Sequence, residues 1–180
     1  MHAHIDWPAL IEAEPLFKAL PIRVRASCHL RQVDADKLVF ARGDKPLVMH
    51  YVQTGEVRLV RGSRNGGQCV LQRTHRGFIA EASLEHDVYH CDAIATTATI
   101  LITIPRVTFR GALDDQEFRT HWIALLSREL RRTRMQNERL TLRTAPERIV
   151  HFIEIEGRDG QIQLSQSKRL CSRTMLNPGA

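Results

Sequence analysis

The stretch DDQEFRTHWIALLSRELRRTRMQNERLTLR, residues 114–143, runs for thirty positions without a glycine or a proline. It opens on acids and closes on arginines, the polarity that complements a helix dipole. A helix of that length is about 45 Å long, so it overhangs any single domain that a chain of 180 residues can build. Steps of four and three pick out Arg119, Ile123, Leu126, Leu130, Thr133, Asn137 and Leu140. This half-apolar seam is sufficient for a two-stranded coiled coil, with Asn137 placed to set its register. A homodimer through the long helix is the expectation. The competing reading packs Trp122, Ile123, Leu126 and Leu130 onto the helix's own domain.

The residues before the helix have a different texture. Residues 8–20, PALIEAEPLFKAL, read as short helical pieces broken at Pro15. From about Leu30 to Ile104 short β-type runs alternate with turn signals: KLVFA then RGDKP, LVMHYV then QTG, EVRLV then RGSRNGG, QCVLQR then THRG, and finally DAIAT and TILITI. Asn65-Gly66 between two such runs is a hairpin signal, because primed turns need positive φ. Strands of this spacing form a sandwich or barrel. After the long helix, Thr144 with Glu147 matches a capping box and Pro146 falls in the first turn, so a second helix runs towards Gly157. A turn at Asp159-Gly160 and a strand at 161–164 come next. The expected fold class is α+β: an antiparallel β-roll or jelly roll with short N-terminal helices. The expected layout is helices and roll over 1–113, the long helix over 114–143, and a hinge helix with the remaining C-terminal segment over 144–180.

Composition narrows the class. Hydrophobic residues are 43% of the chain, enough for a real core. The longest apolar run, AIATTATILITIP at 93–105, is interrupted by threonines and is too short to span a membrane. The N-terminus has no basic and apolar leader. Cys28, Cys69, Cys91 and Cys171 lie far apart with no Cys-x-x-Cys, which argues against a zinc knuckle or a disulfide framework. These features together give a reduced, cytoplasmic protein with no membrane partner. Cys69 reads as a small buried hydrophobe within a strand.

The net charge is +6, which permits nucleic-acid contact without requiring it. Its distribution says more. Eight arginines stand against three glutamates between Arg119 and Arg148, whereas residues 77–105 hold four acids and no lysine or arginine. Within that acidic segment, His86 and His90 are spaced i, i+4 beside Cys91, so a helix there would bring them to one face as metal or haem ligands, with Glu85 nearby. His29, His50, His75, His121 and His151 have no ligand spacing. No nucleophile–base–acid set is visible, and no catalytic residue is assigned.

The order of parts, with RGD (42–44), YVQTGEVRLVR (51–61), NGGQCVLQR (65–73) and GFIAEASL (77–84) before a long helix and a capped second one, resembles the Crp/Fnr superfamily of bacterial transcription regulators. Gly43, Gly55 and Gly77 fall where the sensor roll of that family turns. The resemblance covers roughly residues 15–165. It implies a cyclic-nucleotide-binding-type sensor, a dimerisation helix, a hinge helix and a winged helix-turn-helix.

In members that bind cyclic AMP, a cassette runs Gly-Glu-small-small-Leu and ends in Arg-(Ser/Thr)-Ala. The resemblance thus places an effector pocket at Glu81, Ala82, Ser83, Leu84, Cys91, Asp92 and Ala93. Two departures matter. Ala80 replaces the glycine, and Cys91-Asp92 stands where the arginine and hydroxyl residue belong. Loss of a charge-assisted arginine contact costs ~2–5 kcal/mol where the partner charge is buried. Cyclic AMP in the usual mode is therefore not expected, and no cofactor is named in its place. A small neutral or cationic effector, a metal or haem on His86, His90 and Cys91, and no ligand at all stay open.

The DNA reader is also in question. QIQLSQSKRL looks like the start of a helix-turn-helix, but CSRTMLNPGA comes after it, and two helices need roughly twenty residues. No DNA-binding residue is assigned, and DNA is a partner only of a longer form. Without a reader, the chain would act as a sensor module or form mixed dimers with full-length relatives. A cupin-like metalloenzyme is the remote alternative, because the only His-x-His, His2 and His4, precedes the roll.

Overall fold

In the computed structural model, which describes residues 4–62 and 67–156, the change of texture at Pro105 is a change of architecture. Short helices α1 (Trp7–Ala13), α2 (Leu16–Ala19) and α3 (Ile22–Arg25) lead in. The strands are β1 (His29–Val33), β2 (Leu38–Phe40), β3 (Val48–Thr54), β4 (Val57–Gly62), β5 (Gln68–Thr74), β6 (Gly77–Ile79), β7 (Asp92–Ala95) and β8 (Thr99–Pro105). Then come α4 (Arg106–Ala112), α5 (Gln116–Thr141) and α6 (Ala145–Glu156). Asp6 caps α1 by accepting from the Ala9 N–H at 3.1 Å. Pro15 separates α1 from α2, as its ring and missing N–H require. Arg25 clasps the lead-in by donating to the carbonyls of Phe17 and Leu20, both at 2.9 Å.

The strands form two antiparallel four-stranded sheets, β1-β8-β3-β6 and β2-β7-β4-β5. Their facing sides enclose Val33, Val39, Phe40, Val52, Val57, Leu59, Ile79, Ala80, Tyr89, Cys91, Ala93, Ala95 and Leu101. This is the expected β-roll. β3 and β8 are buried on both faces, which is why the apolar residues of VMHYV and TILITI do not keep to a strict alternation. Gly43, Gly55 and Gly77 all adopt positive φ. At Gly55 the constraint is double. A Cβ there would also stand 2.7 Å from the Ala98 carbonyl oxygen, a contact that backbone cannot yield.

The other side of the first sheet carries the helices. Tyr51 and Phe78 project from it into an edge-to-face aromatic cluster with Phe17, Phe109 and Trp122, with centroids 4.8–5.9 Å apart. Phe118 joins against Phe109. The first turns of α5 thus belong with the roll, and the compact unit they complete is Met1–Ile123. Asp115 caps α5 by accepting from the Phe118 N–H at 2.9 Å.

A second unit begins at Ala124. It contains the capping box in full: the Thr144 N–H donates to Glu147 Oε2 at 3.0 Å, and the Glu147 N–H donates to Thr144 Oγ1 at 3.4 Å. The Arg139 guanidinium lies 4.5 Å from the Phe152 ring centroid, and His151 stands 3.5 Å from Glu138.

One expectation about the strands is overturned. Cys69 is exposed, because β5 is an edge strand whose residues from Gln68 to Leu71 all face solvent. The Asn65-Gly66 hairpin, the Asp159-Gly160 turn, the strand at 161–164 and the C-terminal segment lie outside the described residues. Among the described residues, no helix is long and apolar enough to cross a membrane.

Candidate functional site

After β6 the chain turns sharply at Ala80, a non-glycine residue at φ 71° and ψ 11°. Most side chains avoid this left-handed conformation. Here the surrounding bonds impose it: the Ser83 N–H donates to the Ala80 carbonyl at 2.9 Å, and Ala80 itself is buried. A single 3-10 turn, Glu81–Ser83, comes next. Ser83 and Leu84 are buried, Ala82 is exposed and Glu81 is half-buried. Arg106 at the start of α4 pins the end of this turn by donating from Nε to the Leu84 carbonyl at 2.8 Å.

Residues 85–90 form no helix, so the i, i+4 spacing of His86 and His90 loses its meaning; both are exposed. Cys91, by contrast, is buried in the roll core. Among the described residues no group of three or more His, Cys, Asp or Glu is placed to hold a metal ion. The expected trio is not assembled. Burial pushes the Cys91 thiol up, and the charges of Asp92 and Glu81 push it the same way, while Arg61 opposes them. Cys28 is likewise pushed up by burial, to about 12. Neither is a ready thiolate.

Along β7 the side chains alternate. Cys91, Ala93 and Ala95 join the roll core, so Asp92 points to the other side. There its Oδ1 accepts from the Arg42 N–H at 2.7 Å. Glu85 is engaged too, 3.0 Å from Arg110. Thus two of the four acids that made this segment look hostile to anions are committed elsewhere.

The roll interior also holds residues that sequence reasoning passed over. His50 on β3 is almost fully buried, at 1% exposure, and its Nδ1 has no hydrogen-bond partner. Its ring stacks on Phe40 at 5.5 Å, Phe40 stacks on Tyr89 at 3.8 Å, and the Tyr89 hydroxyl stands 3.5 Å from His50 Nε2. Burial, and then the nearby Arg31 charge, lower His50 to about 4, so the imidazole is neutral at pH 7. Burial pushes Tyr89 up to about 12, which keeps it a phenol. A different buried polar group, Glu56, is fully served by Thr96 at 2.7 Å, Arg58 at 2.8 Å and His75 at 3.2 Å. Burial alone would raise its carboxyl; those bonds and charges outweigh it and hold the carboxyl below its ordinary range.

Arg61 on β4 is the other residue missed. β4 pairs with β7 so that Leu59 faces Ala93 and Val60 faces Asp92. Continuing that register sets Arg61 opposite Cys91. A signal was present: in EVRLVR the period of two puts Val57, Leu59 and Arg61 on one face. The partner strand, thirty residues further on, could not be read locally.

The comparisons agree with this geometry. Residues 30–116 match the family described as the cyclic nucleotide-binding domain. The structure is similar to the catabolite activator protein of Thermus thermophilus, with a TM-score of 0.57 and 24% identity over 71% of this chain and 63% of that one. It is similar to the regulator DNR of Pseudomonas aeruginosa, with a TM-score of 0.62 and 20% identity over 97% of this chain and 89% of that one. The c-di-GMP-responsive global regulator CLP of Xanthomonas campestris aligns with a TM-score of 0.60 and 22% identity, over 78% of this chain and 73% of that one. The chain therefore spans under two thirds of the catabolite activator protein's length. No curated protein matches the sequence. The match over residues 30–116 and these structures together show the fold: a cyclic nucleotide-binding-type roll similar to that of transcription regulators such as DNR.

Proposed function

We propose that this chain is the effector-sensing, dimerising module of a Crp/Fnr-type transcription regulator. The observation that carries the reading is the split character of α5. Phe118, Trp122 and Leu125 are buried, whereas the neighbouring stripe leaves Ile123 56%, Leu130 52% and Leu140 75% exposed. Leu126 is half-buried, and Thr133 and Asn137 are exposed on the same stripe. Apolar residues repeated at heptad spacing on an exposed face call for a partner helix, and the same stripe on a second copy supplies one. In this reading the seam is the dimer interface, and the roll behind segment 80–93 holds the effector. Ligand binding in the roll shifts the equilibrium between two arrangements of the C-terminal helices. Mixed dimers with relatives that carry a helix-turn-helix use the same seam.

Light scattering coupled to gel filtration tests the reading. Wild type should run at twice the chain mass, and the double variant Leu126→Glu/Leu130→Glu should run at the chain mass with its secondary structure intact. A wild type that stays monomeric at high micromolar concentration sinks the dimer.

A further inference from the structure

We propose that Tyr89 is an acid-released latch: protonation of His50 frees the segment 85–90 from the roll while the two sheets stay intact. The inference needs neither the dimer nor an effector. Tyr89 is the one buried residue between Leu84 and Cys91; Glu85, His86, Asp87, Val88 and His90 are all exposed. Its backbone is tied to the turn before β3, where its N–H donates to the Asp44 carbonyl and its carbonyl accepts from the Gly43 N–H, both at 2.9 Å. Its ring lies on Phe40 with centroids 3.8 Å apart, and its hydroxyl donates to the Val48 carbonyl at 3.3 Å. The same hydroxyl stands 3.5 Å from His50 Nε2. The whole segment is therefore held at a side chain that touches a titratable ring.

An imidazolium needs an acceptor for each of its two N–H groups. Nε2 can donate to the Tyr89 oxygen, but Nδ1 has no partner. The groups that face the ring supply no counter-charge. Arg31 from β1 adds a like charge, Phe40 from β2 and Ile79 from β6 are apolar, and the Thr103 hydroxyl from β8 is donated to the His29 carbonyl at 3.1 Å. Asp44, Arg106 and Arg31 act on the Tyr89 phenol. A proton on His50 must therefore be solvated by water, and something must move to admit it. His50 itself is fixed, because β3 is paired with β8 on one side and β6 on the other. Phe40 is fixed by the pairing of β2 with β7. Tyr89 lies on backbone that belongs to no strand or helix, so it is the least costly member of the cluster to displace. Burial, and then Arg31, lower His50 from an ordinary 6.5 to about 4 while the segment is closed. The closed form thus binds the proton less readily than the open one, and closure is lost progressively as pH falls from 6.5 towards 4.

Amide hydrogen exchange on the full chain, expressed as protection factors so that the intrinsic pH dependence cancels, tests the latch at pH 7.5 and pH 5. The Tyr89 and Gly43 N–H groups of wild type should lose protection by about 25-fold, the ratio set by the two His50 values. The amides of β3 and β8 should change by less than about threefold, because the sheets do not open. In His50→Phe the loss at Tyr89 and Gly43 should vanish. His50→Gln, neutral at every pH, gives the same reading should the phenylalanine variant not fold. His86→Gln/His90→Gln, which removes the exposed histidines of the segment, should keep the loss. The latch is overturned by a loss that persists in the neutral His50 variants, by one that disappears with His86 and His90, or by none in wild type. Strand amides that lose protection in step with Tyr89 overturn it too, because acid then opens the roll as a whole.

Discussion

The two faces of the sheet β1-β8-β3-β6 are built to opposite rules. The outer face is dry and aromatic: Tyr51, Phe78, Phe109, Phe118 and Trp122 fill it edge to face, and Phe109 and Phe118 are wholly buried. The inner face carries His50 with an unmet ring nitrogen and Thr103, with Arg31 nearby, among the apolar side chains of the core, such as Phe40, Val52 and Leu101. One face is optimised for cohesion. The other accepts local cost, since an unpaired buried polar group costs about 1–3 kcal/mol. The cost is confined to His50, since Thr103 donates to the His29 carbonyl at 3.1 Å and Arg31 to the Val39 carbonyl at 3.0 Å.

Truncating the outer face should give the largest effect. Phe109→Ala removes a ring that touches Phe78, Phe118 and Trp122. The expected loss is about 3–5 kcal/mol in urea unfolding. A loss under about 1 kcal/mol would show that the cluster is not the cohesive face.

The inner face should reveal itself through pH. His50 has an ordinary value of 6.5 and is lowered to about 4 by burial and then by Arg31. Between those values the unfolded chain binds the proton and the folded chain does not. Stability therefore falls as pH drops from 6.5 towards 4, by about 3 kcal/mol at most. In His50→Phe that part of the slope should vanish. Identical slopes for the two proteins would remove His50 from the account.

The smallest effect belongs to the junction between the faces. Ala80→Gly relieves a left-handed alanine at φ 71° and should stabilise by about 0.5–1 kcal/mol, the αL strain less the extra chain entropy of glycine. A melting temperature that drops instead would mean that the buried methyl outweighs the strain.

Much of the fold is legible because its signals are local. Gly43, Gly55 and Gly77 mark turns, and each has positive φ. Thr144 and Glu147 announce a capping box and form one. The long helix reads as 114–143 and spans Gln116–Thr141. The candidate site is legible only in part. Glu81, Ser83 and Leu84 can be located from their order, but the contacts of Asp92 and Glu85 cannot. Cys69 misleads because alternation says nothing about whether a strand lies at a sheet's edge. His86 and His90 pair only on a helix that three residues of 3-10 turn do not provide.

The sequence by itself determined which segments are strand and helix, where they turn and how α6 is capped, because backbone φ, capping bonds and side-chain periodicity act over a few residues. Only the tertiary structure decided which charges meet. Arg61 and Cys91 are thirty positions apart and are brought together because β7 returns beside β4 rather than beside its neighbours in the chain. Electrostatics depends on distance in space, so Glu85 finds its guanidinium on Arg110, 3.0 Å away but in a different element of the chain.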